Sequence, residues 1–176
     1  MNKKMVRIFL IASVLLVLTG CGKKESPKPV EGKYVSLSGD SYIILSDYNS
    51  ESDKKNDKIG ECKLQFINVD LSNFYNYSVN NSCSNYISKN YPDGCTKDKI
   101  NEIMDMYKEQ IDLNKQFVEN SAKFMYFYSE TEKGYGFMSE IEGSGFDGAY
   151  ETYVTVEYCA DDKSIICDEV KYILEE

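Results

Sequence analysis

The chain has 176 residues, with 20 Lys and Arg against 29 Asp and Glu, no histidine, and a net charge of −9. The missing imidazole excludes Ser-His-Asp and Cys-His catalysis, His-ligated zinc and histidine proton switching. An acidic body repels phosphate backbones, which argues against nucleic acid as a partner.

The N-terminus is built like a secretory leader. Lys3, Lys4 and Arg7 make a basic start, and residues 8–18 are an apolar run broken only by Ser13. That run is too short to span a bilayer, which takes about 20 residues. It suits the apolar segment of a signal peptide followed by a small-residue cleavage site. The stretch closes on Leu18-Thr19-Gly20-Cys21, which resembles the lipobox of bacterial lipoprotein precursors. The resemblance implies cleavage between Gly20 and Cys21. It also implies a covalent diacylglyceryl group on Cys21, with or without an added N-acyl chain, and retention at the outer face of the cell membrane. Two acyl chains anchor firmly where one holds only marginally. Removing the leader takes away its three positive charges and moves the net charge from −9 to −12.

The expected organisation is therefore a cleaved signal peptide over residues 1–20, a lipid-anchored tether over 21–31 and one domain over 32–176. Residues 22–31 are polar and hold two prolines, so they read as a tether reaching at most roughly 35 Å. Lys23, Lys24 and Lys28 stand beside the anchor, where they can meet anionic headgroups or simply aid solubility.

Strand candidates open the domain at 34–45, with a break near Ser38-Gly39-Asp40, and continue at 62–71. Gly32-Lys33-Tyr34 is loosely similar to the glycine-aromatic start of small ligand-binding barrels such as lipocalins, and that resemblance implies a small lipocalin-like β-barrel as the alternative fold. In the second candidate, Cys62, Leu64 and Phe66 share one face while Ile67, Val69 and Leu71 share the other. This change of phase predicts a bulge or a strand buried on both sides. Residues 72–91, rich in Asn, Ser and Tyr, show no clear period and read as irregular. Pro92-Asp93-Gly94 is a turn signal. Thr96 then reads as an N-cap for a long helix over about 97–120. One apolar stripe holds Ile100, Ile103, Met104, Tyr107, Ile111 and Val118, and a second holds Met106, Leu113 and Phe117.

The last third reads as a β-meander, with strands at 123–131, 135–142, 150–159 and 165–174. In the final hairpin, setting Cys159 opposite Cys167 places Val156 opposite Val170 and Val154 opposite Tyr172, and sets Glu157 against Glu169. With Cys21 assigned to lipid, five cysteines remain, so at least one is free or pairs outside the chain. A Cys159–Cys167 disulfide is expected, with Cys83–Cys95 as a second candidate. The predicted fold class is α+β: an antiparallel sheet packed against one long central helix.

Motifs for chemistry are sparse. Gly143-Ser144-Gly145-Phe146-Asp147-Gly148 matches GxGxxG, but a strand-like pattern follows it where a dinucleotide site needs a helix, so it reads as a hairpin connection. Ser52 and Lys55 match SxxK within a polar loop over 46–58. Asp47, Glu51, Asp53 and Asp57 fit no calcium-loop spacing. No metal and no cofactor beyond the lipid is expected. The 15 tyrosines and 8 phenylalanines suit strand packing, or a stacking platform for sugars or peptides. These features predict a non-enzymatic binding module at the outer face of the membrane, with a protein, peptide or glycan ligand. The alternatives are a carboxylate-dependent hydrolase of envelope polymers, and an inhibitor or immunity lipoprotein that intercepts a cationic toxin or wall enzyme.

Overall fold

The structure, a computed structural model, describes residues 26–50, 58–121, 123–145 and 148–176. The leader, Cys21 and the SxxK pair lie outside the described residues, as do Glu51, Asp53 and Asp57.

Eight antiparallel strands close into a barrel: β1 (Gly32–Ser36), β2 (Tyr42–Asn49), β3 (Lys58–Ile67), β4 (Lys123–Ser129), β5 (Gly134–Gly145), β6 (Gly148–Cys159), β7 (Ser164–Cys167) and β8 (Val170–Leu174). Each strand pairs with its neighbour in sequence. β8 returns to β1 through Tyr34↔Leu174 and Ser36↔Tyr172. The expected sheet on one central helix is thus replaced by the alternative, a small barrel. The first and last strands satisfy each other's edges, so the sheet curls around its own core instead of lying flat on one helix. Two helices, α1 (Ser72–Asn90) and α2 (Lys97–Ser121), are inserted between β3 and β4. Among the described residues no helix is long and apolar enough to cross a membrane.

Alternation along the strands fills the barrel. Tyr34, Ile43, Leu45, Leu64, Phe124, Tyr126, Phe137, Val154 and Ile165 are all buried. Directly paired residues such as Tyr126↔Phe137↔Val156 share the inner face.

α1 corrects the expectation of an irregular 72–91. Its buried residues are Tyr75, Ser78, Val79, Ser82 and Cys83, which follow helical spacing. Two of the five are serines, so the stripe is hidden from an apolar count. Asn, Ser and Tyr are weak helix formers, so packing against α2 and the barrel holds this helix. α2 matches its expected span. The Thr96 hydroxyl accepts the Lys99 N–H at 3.3 Å, as an N-cap should. Ile103, Tyr107, Ile111 and Val118 are buried, but Leu113 is 71% exposed, so the apolar arc is narrower than expected.

The bulge expected at Phe66 and Ile67 is also corrected. β3 simply ends at Ile67, and Leu71 is buried where the chain enters α1. The irregular pairings fall instead between Ser46 and Asn49 and between Lys58 and Gly60. The run 165–174 is two strands rather than one. Asp168 (φ 48°) and Glu169 (φ 68°) turn the chain between them. Cys159 therefore stands opposite Ser164, Glu157 opposite Ile166, and Cys167 opposite Val170. Tyr158 faces inward, so Cys159 faces outward, while Cys167 is buried inside. The two thiols lie on opposite sides of the barrel wall, which no disulfide spans. The five described cysteines are all thiols.

Candidate functional site

The strand registers define the two ends of the barrel. At one end, Tyr126, Tyr135, Phe137 and Tyr158 form a ring cluster. The Tyr126 ring lies 5.7 Å from Tyr135, 5.1 Å from Phe137 and 6.0 Å from Tyr158, and Tyr48 meets it edge-on at 5.9 Å. Burial pushes the Tyr34 and Tyr126 phenols far above the ordinary tyrosine range, with neighbouring Tyr158 adding to both shifts.

The chain just ahead of β1 crosses this end. The Tyr126 hydroxyl donates to the Pro27 carbonyl at 2.9 Å, the Val30 N–H donates to the Tyr158 hydroxyl at 3.1 Å, and the Tyr34 hydroxyl donates to the Val30 carbonyl. Pro29 is buried. The last part of the expected tether is therefore packed on the barrel. Sequence reasoning missed this, because an isolated Pro-Lys-Pro carries no sign of the aromatic surface it meets.

The opposite end carries the helices. Asn73 of α1 donates to Asp168 in the β7–β8 turn at 2.6 Å. The Tyr75 hydroxyl reaches Glu119 of α2 at 3.4 Å. On α2, Asp98, Glu102, Asp105, Glu109 and Asp112 are all exposed. Their 4-3-4-3 spacing sets five carboxylates along one face, opposite the buried stripe. Lys99 pairs with Glu102 at 2.8 Å, and Lys115 pairs with Asp112, at its flanks. Like charges at these spacings cost about 0.2–0.5 kcal/mol per pair in a helix, so stability alone does not favour this face.

Two other described carboxylates, Glu157 on β6 and Asp47 on β2, stand apart from this face. Burial, with nearby Glu132 assisting, raises Glu157 above the usual glutamate range. Glu157 stands on the outer wall between Gly136 and Ile166 rather than in a cleft. Asp47 pairs with Lys63 at 2.7 Å. Among the described residues no group of three or more Cys, Asp or Glu could hold a metal ion.

The glycine-rich match is the hairpin connection that its pattern suggested. β5 runs to Gly145 and β6 begins at Gly148, with those two glycines paired, and Phe146 and Asp147 lie outside the described residues. Of the second cysteine pair, Cys83 is buried on α1 and Cys95 is half-buried in the connection to α2. Burial raises the Cys83 thiol above its ordinary range, and Cys95 adds to the rise. Comparisons with protein families, with curated proteins and with solved structures return no match.

Proposed function

We propose that the protein is a lipid-anchored component of a bacterial envelope that acts by binding. Its partner is a cationic protein, a toxin or wall enzyme intercepted at the outer face of the membrane. The acidic face of α2 carries this reading, since five aligned carboxylates are a surface that a basic partner can match and that steers its approach. The barrel's interior supports it as well. Large aromatic and aliphatic side chains of the chain itself fill that space, so recognition falls to the outer surface. The hydrolase alternative is less well supported, because among the described residues the carboxyl with a raised pKa, Glu157, lies on the outer wall and its neighbour Glu132 sits on an exposed turn.

The test is binding of a purified basic wall-lytic enzyme to the mature lipidated protein in vesicles. The comparison is a variant carrying Asp98→Asn, Glu102→Gln, Asp105→Asn, Glu109→Gln and Asp112→Asn. Affinity should fall at least tenfold in the variant, and wild-type binding should weaken steeply with salt. Equal affinity of the two proteins would overturn the assignment of this face. Release of labelled wall fragments, abolished by a single carboxylate-to-amide change, would replace binding with hydrolysis. Mass spectrometry of the N-terminal peptide checks the lipid on Cys21.

A further inference from the structure

The packing of residues 27–30 on the tyrosine end changes what the N-terminal segment can do. A free tether would let the domain drift and tumble roughly 35 Å from its anchor. Here Pro27 and Val30 are held by hydroxyls from three different strands, those of Tyr126, Tyr158 and Tyr34, and Pro29 is buried between these contacts. Both backbone polar groups of Val30 are satisfied by phenols, so releasing the segment exposes buried hydroxyls as well as the backbone.

Only residues 22–26 remain between Cys21 and the first held residue. Six Cα steps span at most about 20 Å. The held segment lies across the end framed by the β4–β5 and β6–β7 turns, and the helices occupy the other end, where Asn73 bonds Asp168.

We propose that residues 27–30 are a clamp that fixes the orientation of the barrel on the membrane. The tyrosine end is held against the lipid surface within about 20 Å, and the helical end, with the acidic face of α2, points outward to meet its partner. This rests on the lipid anchor at Cys21 and adds to it a direction and a distance. A partner would then approach from outside the cell rather than from the plane of the membrane.

The experiment is neutron reflectometry of the mature lipidated protein on a supported phosphatidylcholine bilayer, paired with amide hydrogen exchange at Val30. The near edge of the protein should lie within about 20 Å of the headgroups, and the Val30 amide should be protected. Inserting ten Gly and Ser residues after Gly22 leaves the clamp intact and should move that edge outward. The double variant Tyr126→Phe, Tyr158→Phe should abolish Val30 protection and also let the barrel move outward. A near edge beyond that span, a standoff unchanged by the insertion, or a Val30 amide exchanging as fast as a free peptide would each overturn the clamp. The mass of the N-terminal peptide in the same sample separates the two failures. An unmodified Cys21 sinks the anchor, whereas Val30 exchange still reports on the clamp.

Discussion

The backbone N–H of Val30 donates to the phenol oxygen of Tyr158 at 3.1 Å, across 128 residues of sequence. The segment just ahead of β1 and the sixth strand are thus joined without strand pairing. Tyr158→Phe removes the acceptor and leaves that amide without its partner. Stability should fall by about 1 kcal/mol, or Tm by roughly 2–4 °C for a chain of this size. Urea denaturation measures the loss, and faster exchange of the Val30 amide locates it. Unchanged exchange would mean that the hydrogen bond contributes nothing in solution.

Gly136 sits where a side chain has no room. An added Cβ would stand 2.9 Å from the Val156 carbonyl oxygen and 3.2 Å from the Phe127 ring. The ring can swing away, but the backbone oxygen is fixed by the strand ladder. Gly136→Ala should destabilise by about 1–3 kcal/mol, read as a lower denaturation midpoint with the same slope.

The β7–β8 turn stores removable strain. Asp168 and Glu169 both have positive φ, the geometry of a two-residue hairpin turn that favours Asn-Gly or Asp-Gly. Glu169→Gly relieves the second position and should raise stability by about 1 kcal/mol. The Asn73–Asp168 hydrogen bond is left in place by this change. Thermal unfolding is the measurement, and a lower Tm would contradict the turn.

Thiol reactivity should follow burial. Desolvation pushes Cys62 and Cys167 up to about 12, so neither forms thiolate at mildly alkaline pH. Both should resist a soluble disulfide reagent until the protein unfolds. Mild oxidation should join Cys83 to Cys95, the neighbour that adds to its raised pKa, and should never join Cys159 to Cys167 through the barrel wall. Peptide mapping distinguishes the two pairs, and a 159–167 cross-link under native conditions would refute the barrel register.

Glu157 should make stability depend on pH with a sign opposite to the paired acids. Its folded pKa is raised by burial first and by Glu132 second. The ionised form is therefore penalised at neutral pH, and stability is regained as pH falls through that raised value. Glu157→Gln should stabilise by a few tenths of a kcal/mol at neutral pH, since the site is partly exposed. The gain should vanish in acid, where both states are protonated. Asp162 behaves in reverse. Hydrogen bonds from Lys171 and Ser164 hold it low, so its contribution is present at neutral pH and is lost as pH falls through the depressed value. Melting curves of wild type and Glu157→Gln across acidic to neutral pH test the sign.

Local patterns alone marked several elements. The α2 stripe, the Thr96 cap, the inward phase of Val154, Val156 and Tyr158, and the hairpin across Gly145 and Gly148 were all legible, because each rests on residues within a few positions of one another. The acidic face of α2 was missed in the sequence, although the spacing of Asp98, Glu102, Asp105, Glu109 and Asp112 opposite the apolar stripe is itself a local pattern.

Other features needed the folded molecule. α1 escaped notice because serines line part of its buried face, and a serine packs there only when a neighbouring surface is at hand. The split between β7 and β8 carried no glycine or asparagine to announce it. Closure of the ring, Tyr34 beside Leu174, joins the two ends of the domain. The seating of Val30 on Tyr158 and Tyr34 likewise unites residues with no shared local signal. Periodicity and caps act within one or two turns of chain, and so the sequence by itself determined single elements and their inner faces. Which edges meet, which end the helices occupy and where the N-terminal segment rests depend on contacts between distant residues, and only the tertiary structure decided those.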